Sequence, residues 1–241
     1  MRISVVIPAF NEEQGIASTI GSIRHATTAF ADVGWACELI VCDNNSTDRT
    51  AAIAREEGAR VVFEPINQIS RARNRGAACA AGDWLVFVDA DSHPSRELFA
   101  DVVRAIQDGR CIAGGSTVGF ENPEPAVAVV GWSWNRLSRL TRWAAGSFIF
   151  CEAAVFREAG GFSQELYAAE EIELFRRLKR VARRRGRTIV ILHRHPIRTS
   201  ARKARLYTWA EAMRFIGRTV VSRGRTLRSA EECFSWYDGR R

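Results

Sequence analysis

The stretch WLVFVDADSHP, residues Trp84–Pro94, sets the fold because it joins a buried strand to a pair of acids. Its five apolar residues, Trp84–Val88, are typical of a strand that is buried on both faces of a parallel sheet. The strand then ends in Asp89 and Asp91, whose side chains would point to the same side of an extended chain. Their repulsion is relieved if a divalent cation lies between them and an anionic ligand. The stretch therefore predicts a Mg²⁺ or Mn²⁺ site for a diphosphate, since these cations prefer oxygen ligands. Without a cation, the simpler interpretation is that Asp91 forms a turn or starts the helix predicted from Pro94.

Strand and helix patterns alternate on either side of this stretch. RISVVIPAF, CELIVCD and ARVVFEP are further short apolar runs, and each is followed by a turn and a helical period. Asn11 and Gln14 have the spacing of a cap for the first helix, which carries Ile16, Ile20 and Ile23 on one face. This alternation predicts an α/β fold, a Rossmann-like three-layer α/β/α arrangement with a mostly parallel central sheet.

The alternation weakens after Gly109. We predict a loop over GGSTVGFENPEP, a helix over Val130–Ala144, a strand over GSFIFCEAAVF, a helix that buries Ile172, Phe175, Leu178 and Ala182, and a last strand over RTIVILHRHP. No repeat or linker divides the chain, so we expect one domain over 1–241. Its parts would be a first half (1–110), a second half (111–205) and a helical C-terminal tail (206–241).

Composition narrows the class of protein. The 241 residues carry a net charge of +8, and the arginines are densest over Arg176–Arg187. Such a basic surface favours nucleic acid, anionic lipid or phosphorylated substrates, or is simply a solvated helix face. The six scattered cysteines indicate neither a zinc site nor disulfides. No apolar run is long enough to cross a bilayer, so we expect a cytoplasmic protein.

Polar residues collect at the predicted strand ends. In open α/β sheets, ligands bind beyond the carboxyl ends of the strands. Asp43 can accept hydrogen bonds from a base or ribose there, or it can form an Asx-turn. Arg73 can face a phosphate with its planar fork, or it can form a surface ion pair.

Four motifs resemble those of family 2 glycosyltransferases with the GT-A fold, over roughly Ile3 to Lys203. VVIPAFNEE resembles the opening strand and loop of that family. VCDNNSTDRT resembles its V-D-D-G-S-T-D segment, with Asn44 and Asn45 where Asp-Gly is common. ARNRGAACAAGDWLVFVDADS resembles its A-R-N-x-G helix with the D-x-D strand, and GGFSQELYAAEEIELFRRLK resembles its block around an E-D pair. Because asparagine tolerates the left-handed conformation, we expect the turn at Asn45 to survive.

The resemblance implies an inverting, metal-dependent transfer of a sugar from a UDP- or GDP-sugar to a hydroxyl acceptor. It implies that 1–110 is the nucleotide-binding half and 111–205 the acceptor-side half. It implies that Glu171 is the general base, with Glu170 as a rival because glutamate replaces the usual aspartate. Asp91 and Asp89 would bind Mn²⁺ or Mg²⁺, and a late histidine such as His193 is a further candidate ligand or a structural residue. The residues assigned to the donor nucleotide are Pro8, Ala9, Phe10, Glu12, Asp43, Arg73, Asp89 and Ala90.

Further features bear on the acceptor and on competing functions. Thr199–Lys203 resembles a T-S-x-R-R loop that would close over a diphosphate, or it is a solvated basic loop. Arg142 and Trp143 match only the end of the Q-x-x-R-W motif of processive relatives, which argues against a processive synthase. The basic Trp132–Trp143 segment fits a lipid-linked acceptor and peripheral association with the inner face of the cell membrane, but a soluble acceptor stays open.

No nucleic-acid motif is present, so we expect no nucleic-acid partner. The competing functions are a sugar nucleotidyltransferase, disfavoured because PAFNEE replaces its glycine-rich loop, and a basic non-catalytic binding module.

Overall fold

Strands and helices alternate strictly along the first part of the chain. The structure is a computed structural model, and it describes residues 1–120, 125–199, 225–229 and 231–233. The first elements are β1 (Arg2–Ala9), α1 (Ile16–Ala31), β2 (Ala36–Asp43), α2 (Thr50–Glu56), β3 (Arg60–Phe63), α3 (Ile69–Ala78) and β4 (Trp84–Val88).

The second part of the chain is less regular. A short strand and a helix lead into a long strand, and three more helices follow before the last strand. The elements are β5 (Ser92–His93), α4 (Arg96–Gln107), β6 (Cys111–Phe120), α5 (Pro125–Thr141), β7 (Phe148–Glu152), α6 (Ala153–Glu158), α7 (Glu170–Arg184), β8 (Thr188–Thr199) and a 3₁₀ helix (Arg225–Arg228).

One eight-stranded sheet connects both parts, in the order β3-β2-β1-β4-β7-β6-β8-β5. Strands β3, β2, β1 and β4 are parallel neighbours. Strand β7 runs antiparallel to both β4 and β6, whereas β6 and β8 are parallel and β5 is antiparallel to β8. The antiparallel insertion of β7 marks the border between the two halves of the sheet.

Helices cover both faces of the sheet, which confirms the predicted three-layer α/β fold. Along β1, Val5 packs with the core beneath α1 and α4, whereas Val6 packs with the core beneath α6 and α7. Strand β4 alternates in the same way, with Val86 on the first face and Phe87 on the second. All five residues of β4 are buried, as predicted for a strand enclosed on both faces.

The predicted loop over GGSTVGFENPEP is wrong for its described part, because Gly114–Phe120 belongs to β6. Glycine is required there by packing rather than by a turn. A Cβ atom on Gly114 would lie 2.5 Å from Phe150 Cζ, and one on Gly115 would lie 2.3 Å from Ala144 Cβ. These two glycines therefore allow neighbouring groups to pack closely in a strand, although in the sequence they are typical of a loop.

Three predicted boundaries or caps also differ. The helix expected over Val130–Ala144 starts at Pro125 and ends at Thr141. The strand expected over GSFIFCEAAVF ends at Glu152, where α6 begins. Asn11 does not cap α1, whose N-cap position is Gly15; it has a φ of 50° and its side chain accepts the N–H of Thr47 at 2.8 Å instead.

The predicted helical tail, 206–241, lies mostly outside the described residues. Within the described part of the chain, no helix is both long and apolar enough to cross a bilayer. The division into a nucleotide-binding half, an acceptor half and a tail stays a prediction.

Candidate active site

Arg73 lies at the centre of the site, on α3 and on the face of the sheet that α7 covers. Its side chain is 1% exposed, and its Nη1 donates to Glu170 Oε1 at 2.7 Å. Its Nη2 donates to Asp89 Oδ1 at 2.8 Å and to the carbonyl oxygen of Gly146 at 3.0 Å. The guanidinium also lies 5.1 Å from the ring centre of Phe162. One buried cation therefore holds together the end of β4, the loop before β7 and the start of α7.

This arrangement contradicts the predicted alternative of a surface ion pair. Both Nη atoms bind protein groups, so the ion pairs of Arg73 are buried, and its assignment to a donor phosphate stays a prediction. Removing one partner of such a pair is costly, because it leaves an uncompensated buried charge. Arg73 is a positioning residue in this structure.

The acids after β4 lie in a turn, not in an extended strand. The N–H of Ser92 donates to the carbonyl oxygen of Asp89 at 3.0 Å, which closes a turn over Asp89–Ser92. Strand alternation therefore does not orient Asp89 and Asp91. The prediction that it places their side chains on the same side of an extended chain was wrong. Helix α4 is capped by Ser95, whose hydroxyl accepts from the N–H of Leu98, so Asp91 does not cap it.

Helix α7 begins at the two candidate bases. Ala169 is its N-cap residue and has a φ of 60°, and Glu170 and Glu171 occupy the first turn. Glu170 is buried against Arg73, whereas Glu171 is partly exposed and lines a cavity of about 430 Å³. The cavity is also lined by Arg73, Asp89, Thr199, Phe120 and Trp134.

The charges around Arg73 explain the protonation of these acids. Burial raises the pKa of Glu171 from 4.5 to about 8, and the neighbouring Glu170 adds to the shift. Burial also raises the pKa of Glu170, although Arg73 opposes this effect. Burial alone would lower the pKa of Arg73, but Asp89 and Glu170 outweigh it and raise that pKa. With its pKa near 8, Glu171 keeps its proton at neutral pH.

Two further side chains fasten the loop that leads to α7. Asn74 Nδ2 donates to the carbonyl oxygen of Phe162 at 2.8 Å, and the N–H of Phe162 donates to Asn74 Oδ1 at 2.9 Å. Gln68 Nε2 donates to the carbonyl oxygens of Gln164 and Leu166 at 2.9 and 3.0 Å. Residues on and just before α3 therefore position the acids of α7. Sequence reasoning missed both roles, although Asn74 belongs to the A-R-N-x-G motif.

The ends of β1 and β2 form the predicted donor edge. The N–H of Asn44 donates to the carbonyl oxygen of Ala9 at 2.8 Å, which joins the two strand ends. Asp43 is buried and accepts the N–H of Ser46, three residues further along, at 3.1 Å, whereas the bond of an Asx-turn would go to the residue two positions on. Asn45 has a φ of 66°, which confirms the expected left-handed turn.

The other residues assigned to the donor differ in accessibility. Pro8, Ala9 and Glu12 are buried, whereas Phe10 is half-buried. Ala90 is buried too, and its carbonyl oxygen accepts the hydroxyl of Thr19 at 2.7 Å. Of the residues assigned to the donor, only Arg73 and Asp89 line the cavity of Glu171. The donor assignments of the strand ends stay predictions.

The predicted metal ligands do not form a closed cage. Among the described residues, no group of three or more His, Cys, Asp or Glu side chains could hold an ion by itself. His193 lines a separate depression with Trp132 and Arg136, and His195 Nδ1 lies 2.9 Å from Asp101 Oδ2. A donor set of one or two carboxylates still fits Mg²⁺ or Mn²⁺ when a diphosphate and water supply the other oxygens.

The end of β8 reaches the acids of the turn. Ser92 pairs with Thr199 in the sheet, and the hydroxyl of Ser92 lies 3.2 Å from that of Thr199. Thr199 and Asp89 both line the cavity of Glu171, so the start of the predicted Thr199–Lys203 loop shares a cavity with the first acid of the turn. Residues 200–203 lie outside the described residues.

Comparison with known proteins identifies the family. The family model "Glycosyl transferase family 2" matches residues 4–159, which is more than half of the chain. The chain belongs to glycosyl transferase family 2. The family 2 match ends before Glu170 and Glu171.

Two curated family 2 relatives illustrate the similarity. A dolichol-phosphate mannosyltransferase from Pyrococcus furiosus is 32% identical over 121 residues, which is 48% of this chain and 33% of that protein. A glucosyl-3-phosphoglycerate synthase from Mycobacterium tuberculosis is 39% identical over 105 residues, which is 40% of this chain and 31% of that protein. The chain thus matches about a third of the length of these relatives.

Solved structures show the same fold. The structure of residues 1–349 of S. aureus TarS aligns with a TM-score of 0.63 at 21% identity, and covers 84% of this chain and 61% of that one. A glucosyl-3-phosphoglycerate synthase from M. tuberculosis, in complex with Mn²⁺, UDP and glucosyl-3-phosphoglycerate, aligns with a TM-score of 0.58 at 23% identity. That alignment covers 98% of this chain and 80% of the synthase, so it extends over both halves of the sheet. These likenesses agree with the predicted GT-A fold.

Proposed function

We propose that this chain transfers a sugar from a nucleotide-diphosphate donor, UDP- or GDP-linked, to a hydroxyl acceptor with inversion at the anomeric carbon. The observation that carries the proposal is the position of Glu171. It faces a cavity of about 430 Å³ beside the Arg73–Asp89 ion pair, and burial with the nearby Glu170 raises its pKa to about 8. A carboxylate with a pKa near the working pH suits general base catalysis.

The chemistry assigned to Glu171 is a single displacement. The acceptor oxygen forms a bond to the anomeric carbon as the bond from that carbon to the diphosphate oxygen breaks, and the hydroxyl proton passes to Glu171. Such a base contributes about 10²- to 10⁴-fold to the rate. Glu170 is the weaker candidate, because its carboxylate is buried and bonded to Arg73.

The donor is assigned to the edge formed by the ends of β1, β2 and β4. Pro8, Ala9, Phe10, Glu12 and Asp43 would surround the nucleotide there, and Asp91 with Asp89 would hold Mn²⁺ or Mg²⁺. When bound, the cation supplies Lewis-acid stabilisation of the departing diphosphate. The Mn²⁺ and UDP in the M. tuberculosis synthase structure support this choice of ligands. His193 is not favoured as a ligand, since it lines a different depression.

Helix α5 supports a lipid-linked acceptor that is reached at a membrane surface. Nine large hydrophobic side chains are exposed among the described residues, and five of them lie on this helix. Arg136 and Arg139 are exposed on the same helix, and Trp134 lines the cavity of Glu171. An exposed apolar face with cations suits an anionic membrane surface. The five residues are Val129, Val130, Trp132, Leu137 and Leu140.

A thermal-shift screen against UDP, GDP and dTDP, with and without Mn²⁺, tests the donor assignment. Binding to the folded state raises the melting temperature by mass action, so one nucleotide should stabilise the protein in a metal-dependent way. Asp91→Ala should abolish this stabilisation, whereas Glu171→Ala should keep it and lose transfer. Absence of stabilisation by every nucleotide would contradict the proposed function. A nucleotide response without any transfer to hydroxyl acceptors would favour a non-catalytic binding module.

A further inference from the structure

A second cavity, of about 620 Å³, adjoins the cavity of Glu171. Ala169, the N-cap residue of α7, lines both cavities and separates them. We refer to the second cavity as the arginine pocket. Its lining consists of Trp143, Leu166, Ala169, Ile172, Glu173, Arg176, Arg225, Leu227 and Arg228.

Contacts between distant parts of the chain build the arginine pocket. The N–H of Tyr167 donates to the carbonyl oxygen of Leu227 at 2.7 Å, which fastens the 3₁₀ helix to the loop before α7. Thr226 is buried, and its carbonyl oxygen accepts from Cys233 Sγ at 3.5 Å. The 3₁₀ helix therefore forms one wall of the pocket, and α7 forms another.

Positive charge dominates the lining. Arg176, Arg225 and Arg228 contribute three guanidinium groups, whereas Glu173 contributes one carboxylate. That carboxylate is already bonded to Arg177, whose Nε lies 2.8 Å from Glu173 Oε1. The planar fork of arginine suits the paired oxygens of a phosphate group.

Two contacts hold Arg176 and Arg228 without neutralising these two guanidinium groups. Arg176 lies over the ring of Trp143, at 5.7 Å from its centre, and this ring carries no negative charge that would neutralise the guanidinium. Arg228 lies 3.5 Å from Glu165, but both side chains are mostly exposed, so this pair is weak. A phosphate that enters the pocket can therefore replace Glu165 as the partner of Arg228.

We propose that the arginine pocket binds a phosphate group of the acceptor. The inference rests on the proposed function and specifies its acceptor as a phosphate ester. Because Ala169 lines both cavities, an acceptor that spans them would place its phosphate in the pocket and its hydroxyl near Glu171. The donor diphosphate is assigned to the sheet edge at Asp89 and Asp91, so two anions would bind on opposite sides of the base.

Calorimetric titration of the full chain with glycerol 3-phosphate, and with glycerol as the uncharged control, tests this inference. The ester should bind and glycerol should not. The double variant Arg176→Gln/Arg228→Gln should weaken binding by about tenfold or more, since charge-assisted hydrogen bonds are lost. Arg180→Gln is the matched control, because Arg180 is exposed on the same helix and does not line the pocket.

Vesicles distinguish a free phosphate from a lipid headgroup. Sedimentation with phosphatidic acid vesicles, against phosphatidylcholine vesicles, reports headgroup binding through the same two arginines. Binding in either arm that the double variant weakens supports the inference. Binding in neither arm, or equal binding by wild type and double variant, would overturn it.

The metal-dependent response to nucleotides separates this inference from the proposed function. The double variant should keep the wild-type stabilisation by the nucleotide with Mn²⁺ and lose transfer to phosphate-bearing acceptors. Loss of the nucleotide response would show that the arginines serve the donor, which overturns their assignment to the acceptor. If the wild-type protein binds glycerol 3-phosphate but no nucleotide, the anion site is supported and the proposed function is refuted.

Discussion

The donor edge and the acid cluster around Arg73 are built in opposite ways. At the donor edge, the polar residues follow β1, β2 and β4 directly, and neighbouring strand ends hold them through backbone hydrogen bonds such as Asn44 N–H to Ala9. In the acid cluster, Arg73 bonds to Glu170, which lies 97 residues further along the chain. The first arrangement depends on strand order, whereas the second depends on how α3 and α7 pack.

The two regions therefore depend on different interactions for their stability. The predicted donor edge also buries two acids, Glu12 and Asp43, and Asp43 is held locally by the N–H of Ser46 at 3.1 Å. The acid cluster buries one cation among three carboxylates, those of Asp89, Glu170 and Glu171, so each change there alters both stability and protonation. The predictions below test that coupling, beginning with the largest effect.

Glu171→Gln should lower sugar transfer by about 10²- to 10⁴-fold, because it removes the proposed base and keeps the shape of the side chain. Steady-state rates with a fixed donor measure the effect. Glu56→Gln, at an exposed position on α2, serves as the control. Glu170→Gln should destabilise the fold but keep transfer by the folded fraction; the reverse pattern would assign the base to Glu170.

Arg73→Ala should destabilise the protein by about 3–5 kcal/mol, since it leaves Asp89 and Glu170 as uncompensated carboxylates in a buried site. Urea unfolding followed by circular dichroism measures the change. Arg71→Ala is the matched control on the same helix, because Arg71 is only partly buried and lies 4.0 Å from Glu64. A similar loss in both variants would mean that the ion pairs of Arg73 contribute little.

Stability and activity should change in opposite directions with pH. The pKa of Glu171 is raised to about 8 in the folded chain, so between pH 4.5 and 8 the folded state holds a proton that the unfolded state has lost. The stabilisation from this group is complete below pH 4.5 and is lost as the pH rises through 8, by at most about 1.4 kcal/mol per pH unit. Transfer should increase over the same range, as the base loses its proton.

The variant Glu171→Gln isolates this effect. Subtracting its unfolding free energy from that of wild type at each pH removes contributions from other groups, such as Asp48, whose pKa is lowered by hydrogen bonds to Thr50 despite the opposing effect of burial. The difference should favour the variant increasingly from pH 4.5 to 8. A flat difference would show that Glu171 titrates normally.

Leu137→Ser/Leu140→Ser should weaken binding to anionic vesicles several-fold, because it removes two exposed apolar groups of α5 that would enter the interface. Vesicle sedimentation measures the loss, and Val33→Ser, at an exposed position outside α5, is the control. Equal sedimentation of all three proteins would argue for a soluble acceptor. The melting temperature should change little, since these side chains are exposed.

Short-range patterns predicted the elements that depend on local composition. The apolar run of β4, the left-handed turn at Asn45 and the helix of α7 with buried Phe175, Leu178 and Ala182 are confirmed, although Ile172 is only partly buried. The prediction of a loop at Gly114 was wrong because glycine is required there by close packing against the side chains of β7 and against Ala144. The local sequence does not show these contacts. The predicted orientation of the acids after β4 was wrong because the chain forms a turn there and not the extended strand that the prediction assumed.

The amino-acid sequence alone determined the alternation of strands and helices, the acids at the strand ends and the motifs of family 2, because each depends on residues close together in the chain. Only the tertiary structure decided that Arg73 is buried between Asp89 and Glu170, that Glu171 keeps a raised pKa, and that a pocket of arginines adjoins it. Burial and charge pairing arise from segments that meet only after packing, and their effects fall steeply with distance.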